Sequence, residues 1–578
     1  MSRDVPEGGG RRELGGIRPP HDDPWFTLAP RGLSRRALLL VGAFPAIVAT
    51  VVFANTLANG LVYDDPLALA AASVPLRELA TRRLALTYAT IHLEELLWGP
   101  WQPGYHLTNL LLHAICSALA GLLALSLTER LLPAALCGLL FAVHPVHVEA
   151  VASIENRKEL LAMAFVAASA MLFHRSVPRP RLAYAAALGC FVFALLAKEV
   201  AAVGLVGVLP LLALLRRARG SGYPRERCAG IVLRLLPLLV LGAAAAAWHA
   251  GSILERFFPP AIHVVVGPGF GSYADVLATA VAGVPVVLRL LLFPLRLSAD
   301  YPAVVHHGVF DGHVALGLAL LVAWVGGAFL AAQRFPVVAF GMAWTFIMLL
   351  PVSNVVPLID HFVAERYLYV PSFGVCLAVG ASLAALWERP WQARAAWRRP
   401  ATAALIAALV TGGAVRSVAR NRDWRDETSL WSSAPEGSAR AHGALGLALL
   451  NAQRWADAIP HLERAVTVGP VKADYENNLG LALAMAGRRD EAIVHFRRAV
   501  ELSPEDPLVH FNLGRTLWEA GARSEALGHL RECVKESAWR HPQPWTRSAL
   551  RQQGMTVEQF RTRVQRWIDT LAATGERG

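Results

Sequence analysis

Two adjacent carboxylates, Asp64 and Asp65, stand directly after an almost unbroken apolar run, "ALLLVGAFPAIVATVVFA", in the stretch "LANGLVYDDPLALA". Asp-Asp-Pro is good turn chemistry, and a solvated loop would account for it. The chemical reading is a catalytic acid placed at a membrane surface. Further ionisable groups recur at the ends of other apolar runs. They are Glu149, Arg157, Lys158 and Glu159 in "FAVHPVHVEAVASIENRKEL", Lys198 and Glu199 in "LLAKEVA", Asp300 and Tyr301 in "RLSADYP", and Glu365 and Arg366 in "AERYLYVP". Charges at span ends are costly unless they pair or line a wet cavity. Singly, each has a structural explanation, such as a juxtamembrane salt bridge or a snorkelling Lys198 beside Glu199. Together they put carboxylates and cations on one face, as a phosphate-bearing lipid substrate would need. His144 and His147, with Glu149 close by, share an i, i+3 spacing that suits a metal. No HExxH pattern is present, so no metal is assigned to them.

The elements that must position these groups are mostly apolar. Of 578 residues, 55% are hydrophobic and 17% charged, against roughly a quarter charged in soluble proteins. The net charge of +12 resembles a nucleic-acid signal, but many arginines sit in short loops between apolar runs, where basic residues orient membrane proteins. No nucleic-acid partner is expected. The six cysteines form no CxxC pair and read as small buried hydrophobes.

Eleven apolar runs of about 20 residues predict eleven spans between residues 35 and 417. Residues 1–34 are Gly-, Pro- and Arg-rich, predicted disordered and, from Arg35 and Arg36, cytoplasmic. A further segment, "YADVLATAVAGVPVVLRLLLFPLRL" from Tyr273, carries Arg289, Arg296 and two prolines. Taking it as interfacial or re-entrant leaves "ERPWQARAAWRR" inside with the other basic loops. The C-terminal region then shares the outer side with Asp64 and Asp65.

Beyond a linker at 418–438, the chain becomes charged and periodic. Leu445-Gly446, Leu479-Gly480 and Leu513-Gly514 recur every 34 residues, as do Ala458, Ala492 and Ala526. This is the tetratricopeptide repeat (TPR) pattern, three repeats over 439–540, with a capping helix and tail over 541–578. Asn478 and Asn512 precede the Leu-Gly of repeats two and three, whereas the first repeat has Ala444. A two-rung amide ladder for an acceptor peptide competes here with simple capping of the helices.

The ordered combination of "YDD", "FAVHPVHVEAVASIENRKELLA", "LLAKE", "SADYP", "LLPVSNVVPL", "AERYLYVPSFG" and "RNRDWRDETSLW" leading into TPRs resembles the transmembrane and TPR-containing (TMTC) O-mannosyltransferase group and its bacterial relatives. The resemblance implies an all-α, polytopic membrane bundle of GT-C type followed by a soluble TPR superhelix. It implies transfer of a sugar, mannose in that group, from a polyprenyl-phosphate donor to a protein or glycan acceptor engaged by the TPR. The setting would be the outer side of a bacterial inner membrane. It places catalysis on Asp64 and Asp65 and the donor phosphate on Arg157, Lys198 and Arg366. His144, His147, Glu149, Glu199, Asp300, Tyr301 and Glu365 are supporting, and Asn478 and Asn512 bind acceptor. No particular cofactor is implied, and a divalent cation is left open. The competing reading is a non-catalytic, membrane-anchored TPR scaffold for envelope assembly.

Overall fold

The computed structural model describes residues 35–79, 84–175, 181–198, 204–212, 228–248, 272–302, 304–355, 361–389, 397–470, 472–540, 543, 546, 550 and 554–575. Among the described residues every regular element is a helix. The N-terminal 34 residues, Glu199 and most of the basic loops used above for orientation lie outside them.

Six described helices are long and apolar enough to cross a membrane: Leu39–Ala58, Gln102–Thr128, Tyr273–Leu292, Gly312–Arg334, Glu365–Glu388 and Arg398–Asp423. Leu131–Val143 and Pro145–Ala152, bent by 50°, count as a seventh if they form one span. Every one of the eleven expected spans falls on helix where it is described, those not counted above on Arg157–Arg175, Arg181–Ala197, 204–212, Cys228–Trp248 and Pro336–Val352. Several runs fold as shorter apolar helices, such as Arg181–Ala197 and Pro336–Val352, and the run from Val200 lies partly outside the described residues.

Small residues let the helices touch. Gly341 and Gly374 face each other where Pro336–Leu349 crosses Tyr369–Glu388, and a Cβ on Gly374 would stand 2.2 Å from the Gly341 carbonyl oxygen. In hydrocarbon, where burial drives little helix association, such close backbone contact is a main source of attraction.

Polar residues collect at one end of this bundle. The exits of the first and last spans meet there, with Gly60 N donating to the Arg425 carbonyl at 2.9 Å and Asn421 Nδ2 to Asn55 Oδ1 at 3.0 Å. The head of Gln102–Thr128 meets the bent pair, where Asn109 Nδ2 donates to the Val151 and Ser153 carbonyls. The Tyr273–Leu292 segment is one helix with Gly283 at its middle, and the segment and the loop after it bond to neighbouring loops and helix ends. Tyr273 Oη donates to the Val355 carbonyl, His144 Nε2 lies 3.0 Å from the Leu291 carbonyl, and Ser298 N donates to Glu365 Oε1 at 2.5 Å.

The soluble region follows without a flexible break. Glu427–Ser432 leads into helix pairs Ala439–Asn451 with Trp455–Val468, Ala473–Met485 with Arg489–Leu502, and Pro507–Glu519 with Arg523–Val534. The 34-residue period has a steric cause. A Cβ on Gly446, Gly480 or Gly514 would stand 2.5–2.8 Å from Leu462, Phe496 or Leu530 of the paired helix. Ala458, Ala492 and Ala526 are fully buried at the same crossings. Val557–Gly575 closes the array by packing Phe560, Val564 and Ile568 on Leu530, Cys533 and Trp539, as expected of a cap.

Candidate active site

The loop after the first span turns at Tyr63, whose φ of +61° is unusual for an aromatic residue. Tyr63 N donates to Glu427 Oε1 at 2.7 Å, and its ring stacks on Trp431 with centroids 5.4 Å apart. These tertiary contacts hold a conformation that costs roughly 1–2 kcal/mol locally.

The two aspartates beyond this turn have opposite surroundings. Asp65 is fully buried and accepts from Ser153 Oγ (2.8 Å), Glu155 N (3.0 Å) and Val62 N (3.3 Å). Burial pushes its carboxyl up to about 7, and the three hydrogen bonds act against that rise. Asp65 thus ties its own loop to the bent pair and shows no face to a substrate. Asp64 is half-buried, and its side chain caps no helix. Burial first, then the neighbouring Glu155, holds Asp64 above the ordinary aspartate range, while Arg366, Arg440 and Lys158 pull it down.

The expected cations divide in the same way. Arg157 is fully buried and committed: Nε donates to Asn109 Oδ1 (2.7 Å), one terminal nitrogen to Glu94 and the other to the Tyr105 carbonyl (3.0 Å). It stands away from any free anion site. Lys198 pairs with Glu159 and lies 5.2 Å from the Tyr367 ring centroid. Arg366 N donates to Glu149 Oε2 at 2.9 Å and its guanidinium pairs with Glu149 Oε1. That guanidinium lies 4.8 Å from the Tyr367 ring and 5.8 Å from the Tyr63 ring. Lys158 pairs with Glu155, both half-buried. Arg366 and Lys158 therefore border Asp64, with Lys198 beyond Tyr367, and Arg157 is set apart.

The remaining expected residues hold the frame. His144 Nδ1 accepts from Val146 N and its Nε2 faces the Leu291 carbonyl; His147 Nε2 lies 2.8 Å from Ser372 Oγ. With Glu149 given to Arg366, this trio does not fit a metal. Glu365 is fully buried and accepts from Ser298 N and from Tyr301 Oη (2.8 Å), with Arg420 3.5 Å away. Asp300 Oδ2 accepts from Ser438 Oγ (2.6 Å), and Ser438 in turn caps the first TPR helix through Ala441 N. The "SADYP" loop is thus a joint between the membrane bundle and the repeats. Asn512 is buried and donates to Asn477 Oδ1 at 2.9 Å, so its amide nitrogen holds repeat three to repeat two, while Asn478 is half-buried.

Three residues at the Asp64 cluster escaped sequence reasoning. Arg440, from the first TPR helix, lies 5.2 Å from the Tyr63 ring and pairs with His361 Nε2. Burial, then Arg366 and Arg440, drives His361 down to about 2, so it stays neutral. The Tyr63 hydroxyl is enclosed without a hydrogen-bond partner, and burial pushes it up to about 12. An orphaned hydroxyl among cations is an unmet donor and acceptor. Tyr63 alone had a signal, as the aromatic residue immediately before the acid pair.

An apolar groove runs along the Tyr273–Leu292 helix and reaches Tyr367, whose ring lies 4.8 Å from the Arg366 guanidinium. Leu277, Val281, Trp324, Phe346 and Leu349 line it.

Comparison with known proteins agrees with the motif reading. Residues 444–507 and 483–536 match models of the tetratricopeptide repeat. Protein O-mannosyl-transferase Tmtc3 of Drosophila melanogaster is 28% identical over 456 residues, covering 66% of this chain and 48% of its own. Protein O-mannosyl-transferase TMTC4 of Mus musculus is 28% identical over 400 residues, covering 60% and 52%. Protein O-mannosyl-transferase Tmtc1 of Drosophila melanogaster is 26% identical over 538 residues, covering 75% and 62%. The chain spans about half the length of the curated relatives it matches.

Proposed function

We propose that the chain is a membrane glycosyltransferase that moves a sugar from a polyprenyl-phosphate donor to a hydroxyl of a protein acceptor. The observation that carries this reading is the half-buried Asp64 carboxylate beside Arg366, Arg440 and Lys158, with an apolar groove that reaches Tyr367 next to Arg366. The groove suits a long isoprenoid tail, and the cations suit the phosphate at its head. The names of the relatives make mannose the first sugar to try.

In the transfer, Asp64 takes the proton of the acceptor hydroxyl as that oxygen bonds to the anomeric carbon. The bond from that carbon to the phosphate oxygen breaks, and its electron pair leaves with the polyprenyl phosphate. Arg366, Lys158 and Arg440 face the charge that grows there, in a site largely shielded from water. The Tyr63 hydroxyl can bond the phosphate or the sugar. Asp65 and Arg157 hold the loop and the bundle head, and Lys198 orders Glu159 and Tyr367. Asn478 lies on the repeats that would receive the acceptor.

The test is sugar release from a synthetic polyprenyl-phosphate mannose by the purified full-length protein in detergent, followed against pH. Asp64 works only when deprotonated, and an exposed aspartate titrates near 3.9. Because Asp64 is held above that range, kcat/KM should fall on acidification at a pH above the usual aspartate limb. Arg440 pulls the Asp64 pKa down, so Arg440→Gln should move the acidic limb to higher pH. A limb that stays put in Arg440→Gln would detach Arg440 from the reaction, and no release at any pH would count against the donor.

The cluster and the repeats are placed on the outer side by this reading, with the N-terminus cytoplasmic in a bacterial inner membrane. Ser438 is enclosed, so labelling should use exposed positions such as Glu505→Cys in the repeats and Arg399→Cys at the opposite end of the last span. A membrane-impermeant maleimide on intact spheroplasts should modify Glu505→Cys and spare Arg399→Cys. The reverse pattern would turn the protein over.

A further inference from the structure

Residues 304–311 run back along the Tyr273–Ala282 helix and, with the head of Gly312–Arg334, bring three metal-binding side chains to one point. His306 is anchored through its backbone N–H, which donates to Thr279 Oγ1 at 3.0 Å. Its Nδ1 lies 3.0 Å from Asp311 Oδ2, and His313 Nδ1 lies 3.5 Å from Asp311 Oδ1. One ligand atom from each of the three residues lies within 4.8 Å of the other two. Asp311 is itself fixed, because Oδ1 accepts from His313 N (2.8 Å) and Val314 N (3.3 Å) at the start of Gly312–Arg334.

A tetrahedral ion with bonds of about 2.0–2.1 Å sets its ligands roughly 3.3–3.4 Å apart. Both imidazoles reach the Asp311 carboxylate at close to that spacing, His306 through Oδ2 at 3.0 Å and His313 through Oδ1 at 3.5 Å. We propose that His306, Asp311 and His313 form a binding site for Zn²⁺ or a similar borderline divalent cation. Two imidazoles and one carboxylate are a set that such ions favour over Mg²⁺ or Ca²⁺, which prefer all-oxygen shells. His306 is half-buried and His313 exposed, so water completes the coordination from the open side.

The site lies outside the transfer machinery proposed above. It joins three things: the returning loop, the head of the Gly312–Arg334 span and, through Thr279, the helix whose Leu277, Ala280 and Val281 border the apolar groove. A second clasp, His307 Nδ1 to Asp275 Oδ1 at 2.7 Å, ties the same loop to the same helix. The cation would therefore act as a staple on the groove wall.

The test uses full-length protein in detergent, purified without a polyhistidine tag, stripped with a chelator and titrated with Co²⁺ and then Zn²⁺. One Co²⁺ per chain should bind with the visible absorption of a tetrahedral site, and Zn²⁺ should bleach it. His306→Ala and Asp311→Asn should each weaken binding by at least about 100-fold, the upper end of what loss of an outer-shell partner costs. Asparagine still caps a helix, so Asp311→Asn separates a lost ligand from a lost fold. His442→Ala, in the repeats, should leave the titration unchanged. Failure of the stripped protein to take up Co²⁺ or Zn²⁺, or uptake unaltered in Asp311→Asn, would reduce the trio to a helix cap with an ion pair.

Discussion

Asp64→Asn is expected to lower sugar transfer by about 10²–10⁴-fold, the usual contribution of a positioned general base. An amide cannot accept the hydroxyl proton at neutral pH. The side chain makes no capping bond, so the substitution should leave thermal unfolding unchanged. Donor binding should also survive, because removing a negative charge beside three cations does not weaken their hold on phosphate. The signature is therefore a fall in kcat at nearly constant donor KM. Asp65→Asn serves as the contrast. It places an amide donor against one of three inward-pointing donors, Ser153 Oγ, Glu155 N or Val62 N, and should act through stability. Full transfer by Asp64→Asn would eliminate base catalysis at this site and leave a membrane-anchored scaffold as the better description.

The second large effect is expected at the joint between bundle and repeats. Arg420 is fully buried, donates to Asp423 Oδ2 and Ser433 Oγ at 3.0 Å each, and faces Glu365 at 3.5 Å. Arg420→Ala would leave the Glu365 carboxylate enclosed with no cation, and breaking such a pair from one side costs about 3–5 kcal/mol. The expected result is a lower unfolding temperature with new proteolytic cuts between residues 417 and 438. Replacing both partners, Arg420→Met with Glu365→Gln, should recover part of the loss, since no buried charge then stands alone. Unchanged proteolysis and melting in Arg420→Ala would show that apolar contacts such as Trp424 and Trp431 hold the joint by themselves.

What was legible in the sequence follows from the range of the interactions. The Leu-Gly period is written within each repeat, because the glycine meets a side chain 16 residues later in the same helix pair, as Gly446 meets Leu462. The position of Asp64 was also legible, since an apolar run and the acid that follows it are chain neighbours. Pairing was not. Arg157 finds Glu94 at a separation of 63 residues, Lys198 chooses Glu159 at 39, and Glu149 takes Arg366 at 217. Spacing made Glu199 the obvious companion of Lys198, but a juxtaposition of helices decided the matter. The same limit hid the division between Asp64 and Asp65, which depends on how Tyr63 turns against Trp431 and Glu427. It also hid Arg440, a residue of the repeats that reaches the membrane site only through the joint.

That joint fixes more than stability. Hydrogen bonds from Ser438 to Asp300 and from Gly60 to Arg425 clamp the first repeat to the mouth of the bundle. Under the proposed function, an acceptor chain lying in the repeats would be held at a set offset from Asp64, with little slack to slide. The array would then work as a caliper. The hydroxyl that receives the sugar would be chosen by counting residues from the anchored segment, with the local sequence around that hydroxyl left nearly free.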